Sequence, residues 1–328
     1  MYTKIGFPSF LSLITLIFSG VAFSIESHTY DTEINLSVNE HELSFVIIGD
    51  WGADNDKQYH VADSMGKWCE QNKCEFVLSL GDNFYGTGVY SNDSERFQTT
   101  WSDVYNHPSI ANLDWYSIVG NHDHGRENTE EGREWFQVEH SQMDPRWIFP
   151  DLAYSLTVDT KNTKVKFVNI DTQSVRHDVN DVEDMLNFLD VQLNDSSVDW
   201  KIVSGHHPCY TASGDNPEHN NPIREKVRPI MQRHNTDIYL AGHNHNQQHW
   251  QIADEPKEVD YVITGGGGHH LSPYSEISYQ KSLEEGGELR KMDLDYGFTY
   301  MTINSESISW RFINIETEIV YEYARQKI

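Results

Sequence analysis

Five times along this chain a short run of aliphatic, aromatic and β-branched residues stops at a glycine and hands over a side chain with a metal-seeking atom. Phe45-Val46-Ile47-Ile48 leads into Gly49-Asp50-Trp51-Gly52, and Leu78-Ser79-Leu80 into Gly81-Asp82-Asn83-Phe84-Tyr85. Trp115 to Val119 precedes Gly120-Asn121-His122-Asp123, Val203-Ser204 precedes Gly205-His206, and Ile238 to Ala241 precedes Gly242-His243-Asn244-His245. Runs of this length and composition, closed by glycine, read as strands of a buried sheet. A single strand ending in Gly-Asp is ordinary, because most such aspartates cap the next helix. A donor at each of these strand ends is a different matter, since open α/β sheets place their sites beyond the carboxyl ends of their strands. Asp82, which shares its block with the phenol of Tyr85, reads as the carboxylate that bridges two metal ions.

The intervening sequence says how those strands are joined. Gln58, Ala62, Met65 and Cys69 recur at helical spacing between the first two, making a βαβ unit, and a second helix is expected with Phe97, Trp101, Val104 and Tyr105 on one face. Arg126 to Asp151 is charged and aromatic without a clear period, a long excursion able to wall one side of a site. Further strands are expected at Tyr154 to Val158, Val165 to Ile170, Trp200 to Ser204 and Tyr261 to Thr264. Helices are expected at Val182 to Leu193 and from Pro222 through Ile223, Val227, Ile230 and Met231. Phe298 to Ile303, Ile308 to Ile313 and Glu318 to Tyr323 are bare strands. Helices between strands early and strands alone late predict an α/β fold of two packed mixed sheets flanked by helices, a four-layer α/β/β/α sandwich. On this reading residues 43–328 are a single catalytic domain, and residues 25–42, polar and without period, are a loose lead-in.

Residues 1–24 carry Lys4 as their only charged side chain, then the apolar run Phe10 to Phe18, then small residues around Ala22-Phe23-Ser24. This is the pattern of a secretory signal peptide, too short to span a bilayer as a mature helix, so the expected location is secreted, extracellular or periplasmic. The net charge of −27 repels polyanions, which argues against nucleic acid or an anionic membrane as a partner once the leader is gone. Small phosphorylated substrates remain, provided the site brings its own cations. Of the three cysteines, Cys69 and Cys74 straddle the end of a helix and the start of a strand and could close a short loop in an oxidising compartment. Cys209 is then left over. No Cys-x-x-Cys spacing occurs, which sets aside a thiolate-rich zinc site.

The wording Gly81-Asp82-Asn83-Phe84-Tyr85 and Gly242-His243-Asn244-His245-Asn246, with the other blocks in order, resembles the metallophosphoesterases and within them the purple acid phosphatases of the tartrate-resistant type. The resemblance runs from about Leu43 to the end of the chain. It implies that Asp50, Asp82, Tyr85 and His245 hold one metal, and that Asp82, Asn121, His206 and His243 hold the other. Carboxylates and an ionised phenol suit a trivalent ion, whereas imidazoles and an amide suit a divalent one, so iron(III) beside iron(II), zinc or manganese is expected. Two ions sharing a carboxylate hold a phosphate ester across them and lower the pKa of a bound water, which becomes the nucleophile. By the same resemblance His122 binds phosphate and protonates the leaving alkoxide, and Asp123 orients a neighbouring imidazole.

Several histidines are less determined. His207 either reaches substrate or packs beside the ligands. His269 and His270 follow the run Gly265 to Gly268, which permits close backbone approach, and are expected on the rim; His124 and His249 are expected to be structural. The substrate loop departs from the family, reading Ser213-Gly214-Asp215-Asn216 where relatives carry a Glu-His pair and reaching a histidine only at His219. Gln173 to Asp184 lacks the cysteine of the cleavable loop of the mammalian-type enzymes, so proteolytic activation is not implied. The reading is an acid phosphatase acting on phosphate monoesters. Its alternatives are a phosphodiesterase or nucleotide hydrolase on the same scaffold, disfavoured by Tyr85, and a metal- or phosphate-binding protein without turnover.

Overall fold

All the residues of Leu43–Ile48 (β4) are buried, as a strand covered on both faces requires. The computed structural model describes residues 28–125, 132–214, 217–253 and 257–327, and the backbone of 13–18 and 21–26. Leu13–Phe18 (β1) and Val21–Glu26 (β2) pair with each other and with neither large sheet, while the remainder of the expected leader lies outside the described residues.

β4 lies in the middle of a seven-stranded sheet. On one side β5 (Phe76–Ser79), β6 (Asp114–Ser117) and β7 (Trp147–Ile148) run parallel to it. On the other, β15 (Gly297–Ile303), β16 (Ser307–Asn314) and β17 (Ile319–Gln326) alternate in direction, with Phe45 opposite Met301. A second, eight-stranded sheet has β9 (Lys164–Ile170), β10 (Trp200–Ser204), β11 (Ile238–Ala241) and β13 (Val259–Thr264) in parallel at its centre. It is finished at one end by β12 (Gln247–Ile252) and β14 (Gly287–Asp293), and at the other by β8 (Ala153–Asp159) and β3 (Glu33–Ser37). The sheets pack face to face: Phe45 and Phe76 of the first meet Phe167 of the second at ring distances of 5.4 and 6.1 Å. The fold is therefore the expected pair of mixed sheets flanked by helices.

Helix α1 (Asp56–Gln71) starts at Asn55, whose side chain accepts from the amides of Lys57 and Gln58 and so satisfies two of the helix's otherwise unpaired donors. It lays Val61, Ala62, Met65 and Trp68 on the first sheet, and Trp68 meets Tyr300 edge-on. Cys69, in its last turn, forms a disulfide with Cys74 just beyond its end, and Cys209 is buried elsewhere. Helix α4 (Val182–Leu193) has the bounds its apolar period predicts. No helix among the described residues is long and apolar enough to cross a membrane.

Three expectations need correction. The lead-in is not loose throughout, because Glu33–Ser37 adds a strand to the edge of the second sheet, parallel to β8. The aperiodic excursion holds α2 (Arg133–His140), whose buried residues Glu134, Gln137 and His140 are polar, so its inward face has no apolar period to read. The helix expected around Phe97 is a π-helical stretch only, Phe97–Ser102. The helix expected from Pro222 is present and continuous, wound as a π-helix over Ile223–Val227 and continued by α5 (Arg228–Arg233).

Candidate metal centre

Asp50 follows β4, Asp82 and Tyr85 follow β5, and Asn121 follows β6, all at carboxyl ends in the first sheet. His206 follows β10, and His243 and His245 follow β11 in the second. The carboxyl ends of both sheets open on the same place, and these residues converge there. Tyr85 donates its hydroxyl to Asp50 Oδ1 at 3.1 Å and stands 3.0 Å from His245 Nε2. Atoms of Asp50, Asp82 and His245 lie within 4.8 Å of one another. Asn121 Oδ1 is 3.3 Å from His206 Nε2 and 3.0 Å from His243 Nδ1, while His206 Nε2 is 3.5 Å from Asp82 Oδ1. Asp82 therefore stands between the two groups, as a shared carboxylate would.

The turns that aim these side chains are strained. Asp50, Asp82 and His243 adopt positive φ of 59°, 52° and 66°, a region that costs a non-glycine residue about 1 kcal/mol or more and clusters at sites of function. Glycines let the loops close: a Cβ on Gly120 would fall on Asp82 Oδ1, and one on Gly265 would meet Asp50 Oδ2 at 2.9 Å. The run before His269 thus provides the close approach expected of it.

Hydrogen bonding shows what is wanted between the donors. His206 Nδ1 faces the Leu80 carbonyl at 2.8 Å and His245 Nδ1 faces that of His270 at 2.7 Å, so each ring commits its Nδ1 proton to the backbone. The Nε2 atoms then point at oxygens of Asp82, Asn121, Asp50 and Tyr85, lone pair towards lone pair. Such an arrangement calls for a cation, and an Nδ1–H given to a carbonyl is how metal-ligating histidines are usually oriented. Electrostatics agree. Burial lowers His206, but the charge and hydrogen bond of Asp82 overcome it and raise the imidazole to about 9, so that without a metal ion a proton on Nε2 takes the place between the ring and these oxygens that a cation would fill; reciprocally, His206 and His122 keep Asp82 below the usual carboxylate range against its own burial. Burial and the Asp50 and Asp82 charges push the Tyr85 hydroxyl well up, so its ionisation depends on a strong cation beside it. The donor set fits a pair of metal ions.

Around this core the remaining residues take up defined posts. His122 faces the Gly86 carbonyl through Nδ1 at 2.6 Å and gives its backbone amide to Asp82 Oδ1. Asp123 does not orient an imidazole as expected; it accepts from the amides of Gly120, Asn83 and Phe84 and from Gln137 Nε2, and so fixes two ligand loops. Its carboxyl is pushed to about 6 by burial and then by Asp82. His269 is no rim residue: its half-buried ring stacks on Tyr85 at 3.9 Å and 11°, and burial with neighbouring imidazoles holds it down to about 3. His270 is exposed and contributes its carbonyl. His124 is buried between Asp171 and Glu134, and His249 between Asp260 and Tyr321, both structural as expected. His207 packs beside the ligands, with Thr172 on one ring nitrogen and Arg176 on the other. Gln137 and Arg176 escaped sequence reading, since no spacing marks a polar residue that faces inward; the Gly265 to Gly268 run was the available clue to His269.

Two packed mixed sheets with oxygen and imidazole donors at converging strand ends define a dimetal phosphoesterase. Residues 43–247 match the calcineurin-like phosphoesterase family, and residues 260–323 match the iron/zinc purple acid phosphatase-like protein C family. Tartrate-resistant acid phosphatase type 5 of Oryctolagus cuniculus is 32% identical over 266 residues, 74% of this chain and 78% of that protein. Among solved structures, GAP50, the anchor in the inner membrane complex of Plasmodium, superposes with a TM-score of 0.73 at 20% identity, over 88% of this chain and 90% of that one. Purple acid phosphatase PPD1 from yellow lupin (Lupinus luteus) seeds gives 0.64 at 16% identity, over 87% and 54%. The chain belongs to the calcineurin-like phosphoesterases, in their purple acid phosphatase branch, and is a phosphoester hydrolase of the acid phosphatase kind.

Proposed function

We propose that this protein is a secreted acid phosphatase that hydrolyses phosphate monoesters. Asp50, Asp82, Tyr85 and His245 hold iron(III), and Asp82, Asn121, His206 and His243 hold iron(II), zinc or manganese. The observation that carries the assignment is the pair of imidazoles, His206 and His245, whose Nδ1 protons go to carbonyls while their Nε2 lone pairs face oxygen lone pairs. When bound, the two ions supply Lewis acidity towards the phosphoryl group and activate water as the nucleophile. As water attacks phosphorus the ester P–O bond breaks, and His122, whose Nδ1 is fixed by the Gly86 carbonyl, gives its Nε2 proton to the departing alkoxide. Tyr85, burdened by Asp50 and Asp82, ionises only against the more acidic ion, which favours a trivalent one.

Secretion is supported by the apolar run Phe10 to Phe18 and by the Cys69–Cys74 disulfide, which suits an oxidising compartment. Secreted material should begin near Ile25 by mass spectrometry; retention of Met1 to Ser24 would end that part of the proposal. For the metal centre, iron-loaded, oxidised protein should absorb visible light through the Tyr85 phenolate and should cleave p-nitrophenyl phosphate in preference to its bis-ester. Tyr85→Phe should lose the band and keep the fold. A colourless wild type, or a preference for the diester, moves the nucleotide-hydrolase and phosphodiesterase reading ahead.

A further inference from the structure

Two histidines outside the ligand set touch it. His207 is committed to a helix, with Thr172 and Arg176 of α3 (Thr172–His177) on its two ring nitrogens. His269 is committed to the ligands themselves. It lies in the segment that follows β13, and that segment is hydrogen-bonded to ligand loops of both sheets. The amide of Gly267 donates to the Gly49 carbonyl at 3.1 Å, and that of His269 to the Asp50 carbonyl at 3.2 Å. Further along, the Ser272 amide donates to the His245 carbonyl at 2.9 Å, and the His245 amide to Ser272 Oγ at 3.1 Å. Asp50 rides on the first sheet and His245 on the second, so residues 267–272 tie together two ligand loops that different sheets deliver.

The His269 ring extends this tie to the side chains. It lies parallel to the Tyr85 phenol, the centroids 3.9 Å and the planes 11° apart, and its centroid is 4.7 Å from that of His245. Its Nδ1 is 3.3 Å from His245 Nδ1, whose proton already goes to the His270 carbonyl. His269 therefore turns a lone pair to that edge and carries its own proton on Nε2. Asp50, Tyr85 and His245 are three of the four residues assigned to iron(III), and His269 touches all three. A phenol turns readily about its bond to Cβ, a soft, two-fold torsion. One covered by a stacked ring keeps its plane, and water is kept from the covered face.

We propose that His269 is a positioning residue of the trivalent site: its stacked ring fixes the plane of the Tyr85 phenolate and keeps water from it, so that iron(III) is retained with the help of a side chain that does not ligate it. The inference rests on the iron(III) reading given above, and its failure is separable from the failure of that reading. His269→Ala removes the ring; His269→Phe keeps a ring to stack and removes Nδ1. In iron-loaded, oxidised His269→Ala the visible band should move to shorter wavelength, because water admitted beside the phenolate hydrogen-bonds its oxygen and stabilises the charge there. Iron should also be lost to a chelator at a concentration about tenfold lower than for the wild type, the scale usual for removing a group that orients a metal ligand. His269→Phe should keep the wild-type band and the wild-type retention. Metal-free His269→Ala should melt with the metal-free wild type; a much lower melting temperature would make the ring a contact of the fold and overturn the inference. If band and retention are unchanged in His269→Ala, the inference falls, and a raised KM for p-nitrophenyl phosphate in that variant would make His269 a substrate contact instead. It falls equally if His269→Phe loses both properties as His269→Ala does, since the stacked ring is then not what matters. A wild type that is colourless when iron-loaded and oxidised would overturn the iron(III) reading and this inference with it.

Discussion

His122 is tied to the site by its backbone as well as its ring: the amide serves Asp82, and Nδ1 serves the Gly86 carbonyl. Replacing it with alanine keeps the backbone amide that serves Asp82 and removes only the ring, and with it the proposed proton source. His122→Ala should therefore slow alkyl phosphates about 100-fold or more and aryl phosphates much less, because aryl leaving groups need little protonation. Equal losses on both would restrict His122 to binding. A second residue-scale effect lies away from the centre, where His28 Nε2 meets Asp151 Oδ2 at 2.9 Å. The hydrogen bond to Asp151 raises His28 above 6.5 against its partial burial. The folded state thus binds this proton more tightly than the unfolded chain, so the stabilisation is fully present below pH 6.5 and disappears as pH rises through the raised value. His28→Ala should lower Tm more at about pH 5.5 than at about pH 8.5; the same loss at both would refute the pairing.

At the scale of elements, α1 and β5 are fastened where the helix ends. The Cys69–Cys74 bridge closes a sequence separation of 5, and a loop that short contributes about 2 kcal/mol if its effect is on the unfolded chain. Denatured, unreduced protein should take one equivalent of alkylating reagent, at Cys209; three labelled cysteines would contradict the bridge. Elements with an apolar period or an all-apolar run, such as α4, β4 and the last three strands, could be read from the sequence almost to the residue. The ligand blocks could be read too, because a glycine and a donor after a strand leave a written signature. What could not be read faces polar surroundings. α2 turns Gln137 towards Asp123 and Asn83, β12 is built as Gln247-Gln248-His249-Trp250-Gln251-Ile252 yet is buried throughout, and β14 has no apolar alternation. In such elements hydrogen bonds replace apolar contact: Gln248 reaches Thr211 and Ser213, and Gln251 reaches Asp260, so the code is in partners distant along the chain.

At the scale of the molecule, the centre is assembled by docking two sheets. Asp50, Asp82, Tyr85 and Asn121 ride on one, His206, His243 and His245 on the other, and Phe167 fills the seam against Phe45 and Phe76. Phe167→Ala should cost about 3–5 kcal/mol of stability and also weaken metal retention, since a cavity in the seam lets the two donor sets drift. Metal content per chain at a fixed chelator concentration, read beside thermal melts, would check it. Unchanged retention in a destabilised variant would mean that the ligand loops hold each other without help from the sheets.

The pairing of β4 with β15 also sets a schedule. β4 is among the first strands to leave the ribosome, and β15, the neighbour that closes one of its sides, is among the last, with Phe45 waiting for Met301. Until then the strand that carries Asp50 presents an open backbone edge, a template for pairing with another nascent copy. Contacts so distant along the chain are also slow to form. Completion of translation then determines when this enzyme can first exist, and a chaperone that shields β4 during synthesis would raise its yield without touching the finished protein.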